Sequence, residues 1–183
     1  MYDEAIELRY SVTSGGAAIL FPSGVLATFD RYRQRSSKDK EAGGQLFAKF
    51  IGADTVILEA TEPSLLDRRS RTGFEPSRWS QQREIRRKRE RGLHFVGDWH
   101  THPEPIPRPS NLDLQSMKDS FLRSHHELRN FVLVVVGTSS GPGGLYVALV
   151  GPKVIRLVCE RQSAKHLCTG APSASVSVQT KSP

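Results

Sequence analysis

Four prolines at alternate positions, Pro103, Pro105, Pro107 and Pro109, constrain this chain more than any other feature. Proline has no backbone N–H and a fixed φ, so this segment can enter neither a helix interior nor a sheet ladder. It must run as a stiff extended loop, and the elements on either side of it must be separate. Before it, Leu93 to Trp99 is apolar and aromatic-rich, and reads as a strand that ends in His100-Thr101-His102. After it, Pro109-Ser110-Asn111-Leu112-Asp113 opens a helix, with Leu114, Met117 and Phe121 spaced as one buried face.

Residues two apart in a strand share a face, so both imidazoles point the same way. Ser110 falls at the N-cap of the next helix and Asp113 in its first turn. Each piece has an ordinary explanation: Ser-x-x-Asp commonly caps a helix, and a histidine pair at a strand end is commonly a surface or core pair. Their joint occurrence across a stiff loop favours another reading. Two neutral imidazoles and a carboxylate make a three-ligand zinc set that leaves the fourth position for water, as hydrolytic sites require. A structural zinc would want a fourth protein ligand, usually cysteine, and none is near.

The remaining pattern predicts an α+β fold. Ala17 to Phe21 is a short apolar strand, and Pro22-Ser23 introduces a helix with Val25, Leu26, Phe29 and Tyr32 on one side. Glu41 to Ile51 and Thr55 to Thr61 read as a hairpin turned at Gly52-Ala53-Asp54. Phe131 to Val136 suits a central strand buried on both faces. Leu145 to Val150 and Val154 to Cys159 read as a second hairpin. The 183 residues fit one domain, expected over 1–160, and a Ser/Thr/Pro-rich tail over 161–183, expected to be disordered. No stretch approaches membrane-spanning length, and Met1-Tyr2-Asp3-Glu4 lacks a secretory layout. Cys159 and Cys168 have no CxxC spacing, so a reducing cytoplasm is expected.

Charge is concentrated. Between Arg68 and Arg91 stand ten basic and three acidic residues, a surplus equal to the whole chain's net +7. Within this basic insert, about residues 65–92, Ser77 to Arg91 reads as a helix with Trp79 and Ile85 as its apolar anchors. The helix suits a solvated face, an acidic protein partner or nucleic acid. The lack of a base-reading module disfavours the last.

His-x-His-Pro, seven residues, then Ser-x-x-Asp resembles the signature of the JAMM (JAB1/MPN/Mov34) metalloproteases, and Glu41-Ala42-Gly43-Gly44-Gln45-Leu46-Phe47 is similar to the upstream glutamate element of that family. The resemblance covers residues 20 to 158. It implies a single MPN/JAB-like domain with a mixed curved sheet flanked by helices. It also implies one Zn2+ per chain, held by His100, His102 and Asp113. Glu41 would carry a proton from water to the leaving amine, and Ser110 would donate to the carbonyl oxygen as it turns anionic. More narrowly, the Gly97 to Ser110 segment looks like the stand-alone bacterial JAMM proteins of CBASS anti-phage operons. That resemblance implies a bacterial cytoplasmic isopeptidase reversing conjugation, with a ubiquitin-like protein or a cGAS-like nucleotidyltransferase as the conjugated substrate and an E1/E2-like operon partner. Other readings are a non-catalytic MPN scaffold, a hydrolase acting on a sulfur-carrier protein, and a DNA-repair role.

Overall fold

Nine of the eleven strands in the computed structural model, which describes residues 5–160, join one mixed sheet. The elements are β1 (Ile6–Ser11), β2 (Ala18–Pro22), α1 (Ser23–Tyr32), β3 (Gly43–Ile51), β4 (Asp54–Ala60), β5 (Arg68–Ser70), β6 (Gly73–Glu75), α2 (Arg78–Glu90), β7 (His94–Thr101), α3 (Asn111–Arg123), β8 (Phe131–Val136), β9 (Leu145–Val150), β10 (Val154–Arg156) and β11 (Val158–Cys159). The large sheet runs β10-β9-β8-β7-β3-β4-β2-β1-β11, while β5 and β6 form a small hairpin of their own. The pairs β2–β4 and β7–β8 are parallel. Among the described residues no helix is long and apolar enough to cross a membrane.

The two edges of the large sheet, β10 and β11, are separated in the chain by Leu157 alone. A single residue spans only about 3.3 Å. The sheet therefore curls until its edges nearly meet, and Leu157 N–H bonds the Val147 carbonyl across the seam. This corrects the expected hairpin strand from Val154 to Cys159. Its first three residues pair with β9, and its end crosses to pair with β1 through Tyr10 and Ser11.

Helices cover the sheet on both faces. Phe29 of α1 lies 5.2 Å from the ring of Trp99, which is wholly buried and donates its indole N–H to Thr61 O. Opposite, Met117 and Phe121 of α3 pack on Phe131, Leu133 and Val135. All six residues of β8 are buried, which accounts for its unbroken apolar sequence.

Helix α2 departs in part from its expected anchoring: Ile85 is half-buried, but the second expected anchor is not. Trp79 is 61 % exposed, so it holds nothing down. The buried residue is instead Lys88, 5 % exposed, whose stem lies along the sheet while its ammonium pairs with Glu59 and sits 6.0 Å from the Phe47 ring. A long aliphatic stem with a paired head replaces the missing apolar stripe. Ser77 caps the helix by accepting from Ser80 N–H. The expectations for 161–183 and for Cys168 lie outside the described residues.

At Gly97 the ladder between β3 and β7 slips by one residue, with Leu46 opposite Gly97 and Phe47 opposite Phe95. The slip requires φ +151° at Gly97, and a Cβ there would fall 1.9 Å from Val132 O. Gly97→Ala should therefore lower stability by about 3 kcal/mol or more, from backbone strain and overpacking together. Chemical denaturation would show it, and a midpoint within error of wild type would contradict the assignment.

Candidate metal centre

Two backbone constraints set the site. His100 lies on β7 directly opposite Gly43 of β3, and the Thr101 N–H bonds Ala42 O at 2.7 Å. The strands approach closely because Gly43 and Gly44 carry no side chain. A Cβ on Gly43 would meet the Phe74 ring at 2.5 Å, and one on Gly44 would meet Thr61 O at 2.1 Å. Ala42 N–H is in turn held by Thr101 Oγ1 at 2.9 Å. Glu41, one residue before this locked pair, is thereby carried to the histidine face.

The second constraint is the proline loop. It leaves β7 as His102 N–H bonds Val136 O, and it is tied back where Thr138 and Ser139 donate to the carbonyls of Glu104 and Pro105. It delivers Ser110 to the N-cap of α3. There Ser110 Oγ accepts the Asp113 N–H at 3.2 Å, and Asp113 Oδ2 accepts the Ser110 N–H at 2.6 Å. This reciprocal capping box fixes the Asp113 carboxylate.

All five side chains singled out by the sequence, Glu41, His100, His102, Ser110 and Asp113, come to one place. The imidazole centroids of His100 and His102 are 4.9 Å apart. Asp113 Oδ2 stands 3.5 Å from the Nε2 of each, and Glu41 Oε1 stands 3.6 Å from His102 Nε2. Donor atoms of Glu41, His100 and His102 all lie within 4.8 Å of one another. At 3.5 Å these contacts are electrostatic rather than hydrogen-bonded. His100 Nε2 is buried with no hydrogen-bond partner at all. A buried nitrogen lone pair facing carboxylates is costly unless a cation sits between them, and imidazole nitrogens with a carboxylate suit a first-row divalent metal. The residues fit such an ion.

The charges differ in character. Burial raises the Glu41 carboxyl above its ordinary pKa, and the two imidazoles only partly offset that. Burial would also raise Asp113, but the facing imidazoles and the Ser110 cap outweigh it and hold this carboxyl well below the usual carboxylate range. Burial would lower His102, yet Asp113, Glu41 and Glu104 together raise it. Glu41 is thus the better proton acceptor of the two carboxylates.

Sequence reasoning missed two features close to these residues in the chain or in space. Asp98 lies two residues before His100, its Oδ1 buried without a partner and its carboxyl raised by burial to about 7. An acidic residue inside an otherwise apolar strand, in phase with His100, was the available signal. The other is the β5–β6 hairpin, which lies against the Glu41 backbone and which no short-range pattern announces. His126, by contrast, is part of the aromatic packing. Its ring lies 4.7 Å from both Phe121 and Phe131, and Nε2 meets Phe121 O at 2.9 Å.

Sheet, helices and site together define a JAB-type domain. Residues 27–148 match the model for prokaryotic homologs of the JAB domain, and the chain belongs to that family. It is 34 % identical over 140 residues to a Pseudomonas aeruginosa protein named CD-NTase/cGAS isopeptidase, covering 71 % of this chain and 81 % of that protein. An Escherichia coli protein of the same name is 34 % identical over 101 residues, covering 54 % of this chain and 65 % of the relative. A Desulfitobacterium hafniense protein of known solution structure shares the fold, with a TM-score of 0.56 at 18 % identity over 75 % of this chain and 88 % of that one.

Two measurements follow from the charges. A metal bound at His102 would require the neutral imidazole, so its binding would compete with the proton that the neighbouring carboxylates favour there. Apparent zinc affinity should fall by about tenfold per pH unit below the raised His102 pKa, which lies above the ordinary ~6.5. Competition against a chromophoric chelator from about pH 8 downward would read this, and a flat profile over the acid range would contradict it. The folded-state pKa of Glu41 is raised, so the metal-free fold loses stability as pH rises from the unfolded value of Glu41 toward its folded one. Glu41→Gln should then raise the melting temperature of the metal-free protein at about pH 8. An unchanged or lower value would mean that burial does not penalise this carboxylate.

Proposed function

We propose that this chain is a zinc-dependent isopeptidase that cuts a conjugated protein from its target. The observation that carries the reading is the convergence of Glu41, His100, His102 and Asp113 around a buried, unpartnered His100 Nε2. The isopeptidase names of the Pseudomonas and Escherichia relatives support the bond type. They also support a cGAS-like nucleotidyltransferase as the conjugated protein; that an E1/E2-like enzyme makes the conjugate is part of the proposal and rests on the sequence resemblance alone.

In this reading His100, His102 and Asp113 hold the ion. Asp113 suits that part because it stays ionised, fixed by its capping box. Bound there, zinc would supply Lewis acidity, polarising a carbonyl and making water acidic near neutral pH. Glu41 has a raised proton affinity and is buried beside His102, so it takes the proton from the attacking water on a carboxylate oxygen. The same carboxyl then gives that proton to the departing amine of lysine, which cannot leave as an anion. Ser110 Oγ accepts from Asp113 N–H, so its own proton is free to bond the carbonyl oxygen as charge develops there.

Purified protein incubated with lysine-linked nucleotidyltransferase conjugates should release the free protein. Glu41→Ala should bind zinc normally and lose at least ~100-fold in rate. Ser110→Ala should lose on the order of 100-fold in kcat, and also about 1 kcal/mol of stability through the cap. Turnover retained in Glu41→Ala would overturn the role of that residue. Wild-type protein that binds zinc yet leaves every conjugate intact would overturn the isopeptidase reading.

A further inference from the structure

We infer that the β5–β6 hairpin of the basic insert is a clamp that positions Glu41, with Arg69 as its positioning residue. Glu41 precedes β3, so no ladder satisfies its backbone, although the residue is buried. Both of its backbone groups go to β5 instead. Glu41 N–H donates to Ser70 O at 2.7 Å, and Glu41 O accepts from Arg69 Nε at 2.7 Å. Arg69 Nη2 reaches the preceding carbonyl, Lys40 O, at 3.3 Å, so one planar guanidinium grips two consecutive peptide units.

A second tie runs through Gln34, which is buried after α1. Its Nε2 donates to Arg71 O at 2.7 Å, in the turn of the hairpin, and to Asp39 O at 3.3 Å. Its Oε1 accepts from Thr101 Oγ1 at 3.2 Å, between the two histidines. Phe74 of β6 packs on Gly43, where a Cβ would sit 2.5 Å from its ring. The insert therefore touches the glutamate segment from outside while Thr101 holds it from inside. Glu41 can approach His102 only along the line these two supports leave. None of these bonds uses a substrate or a metal, so the clamp is a property of the metal-free chain.

The inference deepens the isopeptidase reading and rests on it for its kinetic consequence. Proton transfer depends steeply on placement, and an error of about 1 Å can cost on the order of 100-fold. Arg69→Ala should lower kcat by about tenfold or more, with KM and zinc content held. Arg69→Lys, which keeps the charge but not the two-carbonyl grip, should recover only a small part of the loss. Arg68→Ala, whose side chain is 84 % exposed beside Glu75, removes the same charge from the same hairpin and should keep kcat.

Hydrogen–deuterium exchange of the metal-free protein gives a readout independent of activity. Amides of residues 40–43 should exchange about tenfold faster in Arg69→Ala and at the wild-type rate in Arg68→Ala. Exchange at these amides unchanged in Arg69→Ala overturns the clamp, whatever the activity. A loss confined to KM, or equal in Arg68→Ala, overturns it too, because charge recognition would then be the insert's role. Faster exchange together with a wild-type protein that cleaves no conjugate leaves the clamp standing and defeats the isopeptidase reading instead.

Discussion

The pairing of β3 with β7 is the contact on which the rest depends. Its register places Gly43 opposite His100, and so brings a glutamate from before one strand to imidazoles at the end of another, 59 positions along the chain. Two glycines permit the approach, and Trp99, whose carbonyl and indole crowd them, records how close it is. The bulge at Gly97 then adjusts the phase of β7 between its outer half, which meets Phe47 and Ala48, and its inner half, which carries the histidines. A slip of one residue would turn both imidazoles to the opposite face.

Bringing these groups together is electrostatically unfavourable by itself. Two carboxylates and two imidazoles sit partly or wholly out of water, and His100 Nε2 has no proton-sharing partner. Native chains tolerate such unsatisfied groups where function requires them, since the surrounding structure over-determines their positions. Here the over-determination is visible on every side. The capping box fixes Asp113, the proline loop is bonded to the segment after β8, and Thr101 and the β5–β6 hairpin hold the glutamate segment. A cation would convert the cost into binding energy, because the ligands need not be gathered when it arrives.

The grouping of these side chains in the candidate site was legible in the sequence because its parts are local. His-x-His uses the two-residue period of a strand, and Ser-x-x-Asp uses the first turn of a helix. The prolines force a boundary between them. Glu41 was readable only through resemblance, since nothing in Lys38-Asp39-Lys40-Glu41 separates it from a solvated acid. The fold's main departures from expectation have one cause, long-range pairing that no periodicity encodes. Val154 to Cys159 looks like one strand, yet it divides between the two edges of the curled sheet. Lys88 looks like one more exposed cation, yet Glu59 on β4 draws it inside while Trp79 stays out. Arg69 looked like a contributor to a basic surface, and its partners turned out to be two main-chain carbonyls.

That last difference separates two properties of the insert that its composition had merged. Arg69 bonds carbonyls, which are present whatever side chains occupy positions 40 and 41, so the clamp does not depend on the surface charge of the hairpin or of α2. The exposed arginines of α2, such as Arg83 stacked at 5.5 Å on the Trp79 ring, take no part in these bonds. Charge on the outer face can therefore change to suit a partner while the geometry of Glu41 stays fixed. The converse does not hold. Removing the insert would take Ser70 and Arg69 with it, and leave both backbone groups of a buried glutamate without partners. The insert is on these contacts a structural part of the JAB-type domain, not an accessory attached to it.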